Sequence, residues 1–183
     1  MKSYFLLVLL FICSPFYSLN AQYHKGYESA GDILEYALPG IALTSTFIWR
    51  DGQKGTLQFT KAALTSLIIS QTLKRGINKE RPNGGVHSFP SGHTTAAFTG
   101  AAFLERRYGW KAGIPAYLLA GYVGWSRVYA NKHDWWDVLG GFVLGTGSSY
   151  LFTKPYLKRE ESIQMAVTTL PGGAVGGVLS LKI

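Results

Sequence analysis

A single cysteine, Cys13, excludes an internal disulfide and leaves no thiolate metal centre to build. Charge is scarce too. Asp, Glu, Lys and Arg make up 15% of the chain, against about 25% in ordinary soluble domains. No apolar run reaches the roughly 18 residues that a spanning helix ordinarily needs. The sequence carries no zinc finger and no helix-turn-helix signature, which sets nucleic acid aside as a partner. It lacks the P-loop lysine pattern and the glycine fingerprint of dinucleotide sites, so no nucleotide cofactor is indicated. No GxSxG elbow supports serine-hydrolase chemistry. HExxH is absent and carboxylates are few in sequence around the histidines, so no metal ligand set is expected.

What is present is a chain of 183 residues, 47% apolar and 14% aromatic, with 22 glycines and a net charge of +8. That length supports one domain with a real core. The basic balance draws anions, either phosphate esters or an acidic membrane surface. Residues 1–21 read as a secretory signal. Lys2 gives the positive start, Tyr4 to Ile12 the apolar stretch, Ser14-Pro15 the break, and Ala21 the small residue at the cleavage point. Cleavage would remove Cys13; an uncleaved membrane anchor is the alternative.

The body, residues 22–160, reads as a set of helices. Tyr23 to Asp32 is a polar lead-in, and Ile33 to Trp49 is apolar apart from Glu35 and Pro39-Gly40. Helices are expected over Thr56–Leu73, Thr94–Arg107, Trp110–Trp125 and Asp134–Phe152, with a long loop over Lys74–Phe89. Several look apolar on all sides, which fits a tight bundle interior or lipid contact. In the tail, 161–183, Ile163, Met165 and Val167 alternate with polar or small residues before Leu170-Pro171-Gly172-Gly173. Leu179, Leu181 and Ile183 alternate again. A short hairpin explains this pattern, and a glycine-rich tail lying on the domain or membrane explains it nearly as well.

Three clusters carry chemistry. Lys74, Arg81 and Arg127 are permanent cations at the edges of apolar segments; if they converge, they cage a tetrahedral anion. Taken singly, each also reads as an ordinary surface charge. Pro90-Ser91-Gly92-His93 stands where the loop enters a helix. There free N–H groups bind anions, Gly92 lets backbone approach a ligand, Ser91 offers a hydroxyl, and His93 is placed to protonate a leaving oxygen. Simple capping or packing is the plainer account of that histidine. His133 and Asp137 are four apart and share a helix face. A carboxylate on one imidazole nitrogen sets the tautomer and leaves the other free to attack. Asp134 is read as the helix cap. Trp135 and Trp136 could wall the pocket, anchor a lipid interface or simply pack as ordinary core rings.

Together these segments, KRGINKERP (74–82), PSGH (90–93) and SRVYANKHDWWD (126–137), resemble the type 2 phosphatidic acid phosphatase superfamily. They match its K-x6-RP, PSGH and SR-x5-H-x3-D patterns without gap or substitution. The resemblance implies an all-α bundle of the phosphatase/haloperoxidase type and a metal-independent phosphatase with no cofactor. It implies His133 as nucleophile, Asp137 orienting it, and His93 as acid and then base. Lys74, Arg81 and Arg127 would hold the phosphoryl oxygens, with Ser91, Gly92 and Ser126 assisting. His87 matches no motif and is read as a loop histidine. The membrane-associated lipid-phosphatase branch is favoured, in a bacterial envelope with the site facing the periplasm. Lipid A, prenyl diphosphate, phosphatidylglycerophosphate and phosphatidate are the substrates to consider. A soluble periplasmic acid phosphatase and a non-catalytic phospholipid-binding protein are the alternatives; the haloperoxidase branch is disfavoured because its members are much longer.

Overall fold

The computed structural model describes residues 25–48, 54–156, 163–169 and 175–181, the last two as backbone only. Residues 1–24, 49–53, 157–162, 170–174 and 182–183, the expected signal segment 1–21 among them, lie outside the described residues. Among them the helices are α1 (Lys25–Ile48), α2 (Gly55–Ile77), α3 (Gly92–Tyr108), α4 (Trp110–Tyr129) and α5 (Trp135–Phe152). Strands β1 (Ile163–Thr169) and β2 (Val175–Leu181) pair antiparallel, Ile163 opposite Leu181 and Thr169 opposite Val175. The alternation in the tail is therefore a hairpin.

Small side chains decide the architecture. α3 is rich in Ala, Gly and Thr, and most of its residues are buried, so it is the central helix. α1, α2, α4 and α5 all pack against it. Gly100 of α3 faces the backbone of Leu38 and Pro39 in α1 so closely that a Cβ there would lie 2.7 Å from it. Gly145 of α5 meets the Thr95 carbonyl of α3 in the same way, at 2.5 Å. Such contacts bring main chains together at a distance that larger residues would prevent. The apolar core, including Leu38, Ala42, Phe59, Phe98, Ala101, Phe103 and Val123, fills the middle of the bundle, with Phe59 and Phe103 edge to face at 5.0 Å.

Helix direction sorts the ends. α1, α3 and α5 begin at the end that holds Asp32, Ser91 and Asp137. α2 and α4 finish there, with Lys74 and Arg127 in their last turns. The opposite end gathers Gly55, Gln58, Arg107 and Tyr156. There the Tyr156 N–H donates to the Arg107 carbonyl, and the Lys154 N–H donates to Gln58.

The structure corrects two expectations. The polar stretch before Ile33 is not a lead-in: α1 begins at Lys25 and runs unbroken through Pro39. Glu28, Asp32 and Glu35 then stand at helical spacing on one face, stabilised by packing on α4 that local composition does not reveal. Lys74 is likewise helical, because α2 continues to Ile77 and the loop begins at Asn78. No helix among the described residues is long and apolar enough to cross a membrane.

Gly145→Ala should lower the thermal midpoint by roughly 3–10 °C, the result of about 1–3 kcal/mol of overpacking. Gly147→Ala, on the same helix with nothing within 4 Å of the added methyl, should leave the midpoint level or raise it. Equal midpoints for the two variants would contradict backbone-level packing of α5 on α3.

Candidate active site

His133 lies in the break between α4 and α5 and is 3% exposed. α4 ends in a turn in which the Arg127 carbonyl accepts the N–H groups of Lys132 and His133, with Asn131 at φ 53°. Asp134 then caps α5. Its carboxylate accepts the Asp137 N–H at 3.0 Å, and Asp137 returns the bond from the Asp134 N–H at 3.1 Å. This reciprocal cap turns the fully buried Asp137 inward, where Oδ2 lies 3.3 Å from His133 Nδ1. The contact on Nδ1 leaves Nε2 as the free ring nitrogen.

Asp137 is held from other sides as well. Lys79 Nζ donates to its Oδ1 at 2.8 Å, and the Ser88 hydroxyl donates to its Oδ2. Burial pushes this carboxyl up, but the bonds from Lys79, Ser88 and the Asp134 backbone overcome that and hold it below its ordinary value. Burial also dominates at His133, helped by the nearby charges of Lys74 and Arg81, and lowers its pKa from 6.5 to about 4. The imidazole is neutral at physiological pH.

Lys74 and Arg81 converge beside it. Burial and the Arg81 charge together lower the Lys74 pKa. Lys74 Nζ donates to the His87 carbonyl at 3.2 Å, so His87 contributes its backbone there. The loop is folded back on itself: the Arg81 N–H donates to the Gly85 carbonyl, and the Ser88 N–H donates to the Lys79 carbonyl at 2.8 Å. That closure presents Lys79, Arg81 and Ser88 to one place. Arg81 Nε is buried and finds no hydrogen-bond partner among the described residues.

Ser91 is the N-cap of α3. Its Oγ accepts from the Thr94 hydroxyl at 2.9 Å, and its N–H donates to the Asp137 carbonyl at 2.9 Å, which ties this turn to α5. Gly92 comes next and faces the Lys74 side chain.

The third cation behaves differently. Arg127 is fully buried and donates to Asp32 at 2.6 Å, to the Glu28 carbonyl at 2.8 Å and to Ser126 Oγ at 3.3 Å. The Ser126 hydroxyl itself donates to the Val123 carbonyl, so this serine positions Arg127. His93 Nε2 lies 2.9 Å from Glu35 and 3.3 Å from Asp32. The Glu35 approach is a close polar contact rather than an aligned hydrogen bond. The structure thus corrects the expectation that carboxylates are few near His93. Asp32, Glu35 and His93 offer ligand atoms within 4.8 Å of one another. The same Asp32 oxygen already accepts from the Arg127 guanidinium, which gives the trio an ion-pair role without any ion.

Lys79, Ser88, Asp32 and Glu35 were not singled out by sequence. Lys79 is one of the unspecified positions inside the K-x6-RP segment, and Ser88 lies two residues before PSGH, so neither is a motif-defining residue. The signal for the two carboxylates was their spacing with Glu28, hidden because the stretch before Ile33 read as non-helical.

Residues 55–161 match the PAP2 superfamily. The chain belongs to that family. It is 31% identical over 141 residues to a lipid A 4′-phosphatase of Helicobacter pylori, covering 70% of each chain. It is 28% identical to the undecaprenyl-diphosphatase BcrC of Bacillus subtilis, over 66% of this chain and 69% of that one. Among solved structures, Aquifex aeolicus LpxE superposes with a TM-score of 0.60 at 24% identity, covering 80% of this chain and 92% of that one. The bundle is therefore the PAP2 helical fold. Both quoted relatives are named phosphatases, and this chain is an enzyme of that class.

The low His133 pKa fixes a sign. The unfolded chain takes up the histidine proton near pH 6.5 and the folded chain only near 4. Stability should therefore fall as pH drops from about 6.5 to about 4, with the depressed Asp137 adding to the loss at the acid end. A ring-proton NMR titration should place His133 well below 6; a midpoint near 6.5 would contradict the buried, cation-flanked ring.

Proposed function

We propose that the chain hydrolyses a phosphate ester or anhydride carried by a lipid, without a metal, through a phosphohistidine on His133. The observation that carries this reading is the pairing of opposites at one point. A buried neutral imidazole is held by a carboxylate, and the cations Lys74 and Arg81 crowd against it, with an Arg81 N–H unused. Like charges held together in a charge-poor chain favour an incoming anion.

In this mechanism Nε2 of His133 attacks phosphorus. The N–P bond forms as the P–O bond to the leaving group breaks, and His93 passes a proton to the departing oxygen. Water then attacks the phosphohistidine, gives its proton to His93, and releases phosphate with His133 restored. Asp137 holds the ring throughout, and Lys79 and Ser88 hold Asp137. Lys74 and Arg81 stabilise the charge spread over the equatorial oxygens. Arg127 uses three of its five N–H groups on Ser126, Asp32 and Glu28 among the described residues, and the other two remain for a phosphoryl oxygen. Ser91 and Gly92, at the start of α3, add the donors of a helix N-terminus.

We assign the catalytic unit to residues 22–160 and treat 161–183 as an appended tail. The lipid reading is supported by large apolar side chains exposed on the outer faces of the helices, among them Ile33 at 68%, Ile68 at 62%, Leu118 at 71% and Leu151 at 73%. The names of the quoted relatives, lipid A 4′-phosphatase and undecaprenyl-diphosphatase, agree with it. On this reading the protein is associated with the bacterial envelope membrane, its catalytic end turned to the periplasm.

His133→Ala should keep the fold and lower phosphate release from an aryl phosphate by on the order of 10⁴-fold or more. Wild-type protein should form an acid-labile phosphoprotein, and EDTA should leave turnover unchanged. Persistent turnover in the variant would remove His133 from its role. Loss of activity in EDTA would instead turn Asp32, Glu35 and His93 into a metal site.

A further inference from the structure

A groove of about 360 Å³ runs between α1 and α2 and opens beside the catalytic groups. Its volume is that of a small-ligand pocket. α1 contributes Glu35, Tyr36 and Pro39; α2 contributes Ser66, Leu67, Ser70 and Gln71; and Gly92, Thr95 and Thr99 of α3 form the floor. Two of these residues also belong to the catalytic end. Glu35 lies 2.9 Å from His93, and Gly92 faces Lys74. One end of the groove therefore adjoins His93 and Lys74.

The buried face of α2 reads Phe59, Ala62, Ser66, Ser70, with Lys74 next at the same spacing. Of that face, Ser66 and Ser70 line the groove, while Phe59 belongs to the core. Most groove hydroxyls are satisfied by the protein. Ser66 donates to the Ala63 carbonyl at 3.0 Å, Thr99 pairs with Ser66 at 3.1 Å, and Thr95 donates to the Ser91 carbonyl at 2.8 Å. Ser70 is the exception. It is 2% exposed, yet its hydroxyl has no hydrogen-bond partner among the described residues. A buried hydroxyl without a partner is costly and uncommon, and it lies one helical turn from the phosphate-facing Lys74. Gln71, at the exposed mouth, adds an amide. Tyr36, Pro39 and Leu67 line the apolar side, which continues into the exposed apolar surface of α1 and α2.

We infer that this groove seats a sugar-like headgroup bearing hydroxyl or amide groups, so the preferred substrate is a phosphorylated glycolipid rather than a phosphorylated hydrocarbon chain. The inference rests on the phosphatase reading and goes further than it: Lys74, Arg81 and His133 recognise only phosphate, whereas Ser70 and Gln71 recognise what carries it. A prenyl chain brings no polar group to Ser70 and leaves that hydroxyl and the Gln71 amide unmatched. Sites built to hydrogen-bond a ligand reject analogues that lack the bonding group.

The test uses the full chain, purified in mild detergent. The substrates are a monophosphorylated disaccharide lipid of the lipid A type, a prenyl monophosphate in the same mixed micelles, and a soluble aryl phosphate. Wild type should favour the glycolipid over the prenyl phosphate by at least about tenfold in kcat/KM. Ser70→Ala and Gln71→Leu should each lower that ratio several-fold, mainly through KM for the glycolipid. Equal or better hydrolysis of the prenyl phosphate overturns the inference while leaving the phosphatase reading intact. A proportional loss on all three substrates in both variants overturns it as well, since it marks Ser70 and Gln71 as merely structural. No release from any substrate, the aryl phosphate included, overturns the phosphatase reading and the inference together.

Discussion

The main-chain contact between α5 and the first half of α3 is what the rest of the molecule depends on. Gly141 and Gly145 lie flat against the backbone of residues 91–99, and the Ser91 N–H donates to the Asp137 carbonyl. This brings the turn before α3 to the first turn of α5, and so brings Ser91 and Gly92 to His133 and Asp137. A larger residue at either glycine would lever the helices apart, and the two halves of the site would separate. The packing and the chemistry are therefore one constraint. The core needs close helices for dispersion and burial, and the site inherits its geometry from that closeness.

Burying ions in such a bundle requires that each be matched. Arg127 is fully buried against Asp32 and a carbonyl, and Asp137 is fully buried against Lys79, Ser88 and a backbone N–H. Isolated, either charge would be expelled or neutralised. The two arrangements divide the catalytic end. On one side, a neutral imidazole stands beside the cations Lys74 and Arg81, which make no ion pair among the described residues. On the other, His93 stands among carboxylates. In the proposed mechanism the first surrounding serves nucleophilic attack and the second proton delivery.

The groove extends the same logic beyond the phosphate. Ser70 and Ser66 line it one and two helical turns before Lys74 on α2, while Ala62 and Phe59 further along that helix are buried in the bundle. On the inference drawn above, the complementary ligand carries hydroxyl or amide groups next to its phosphate, to meet Ser70 and Gln71. The opposite end of the bundle is organised for stability instead: Arg107 lies over the rings of Tyr108 and Tyr156, and Glu105 accepts from the Tyr150 hydroxyl.

The residues by themselves determined the all-helical body and the positions of the three clusters, while the alternation of the tail fitted a hairpin and a surface-lying tail nearly equally until the strand pairing chose between them. Spacing does this work locally. His133 and Asp137 share a helix face wherever that helix lies, and Ser91 before a helical run is a cap in any fold. Helix starts were less legible, because Lys25 to Asp32 is polar and owes its helicity to packing on α4, not to its own composition. Only the tertiary structure decided what converged with what. It joined Lys74 and Arg81 to His133, tied Arg127 to Asp32, placed two carboxylates beside His93, and made Lys79 and Ser88 the supports of Asp137. These pairings link residues tens of positions apart. They follow from which glycines let which backbones meet, and a linear pattern does not encode that.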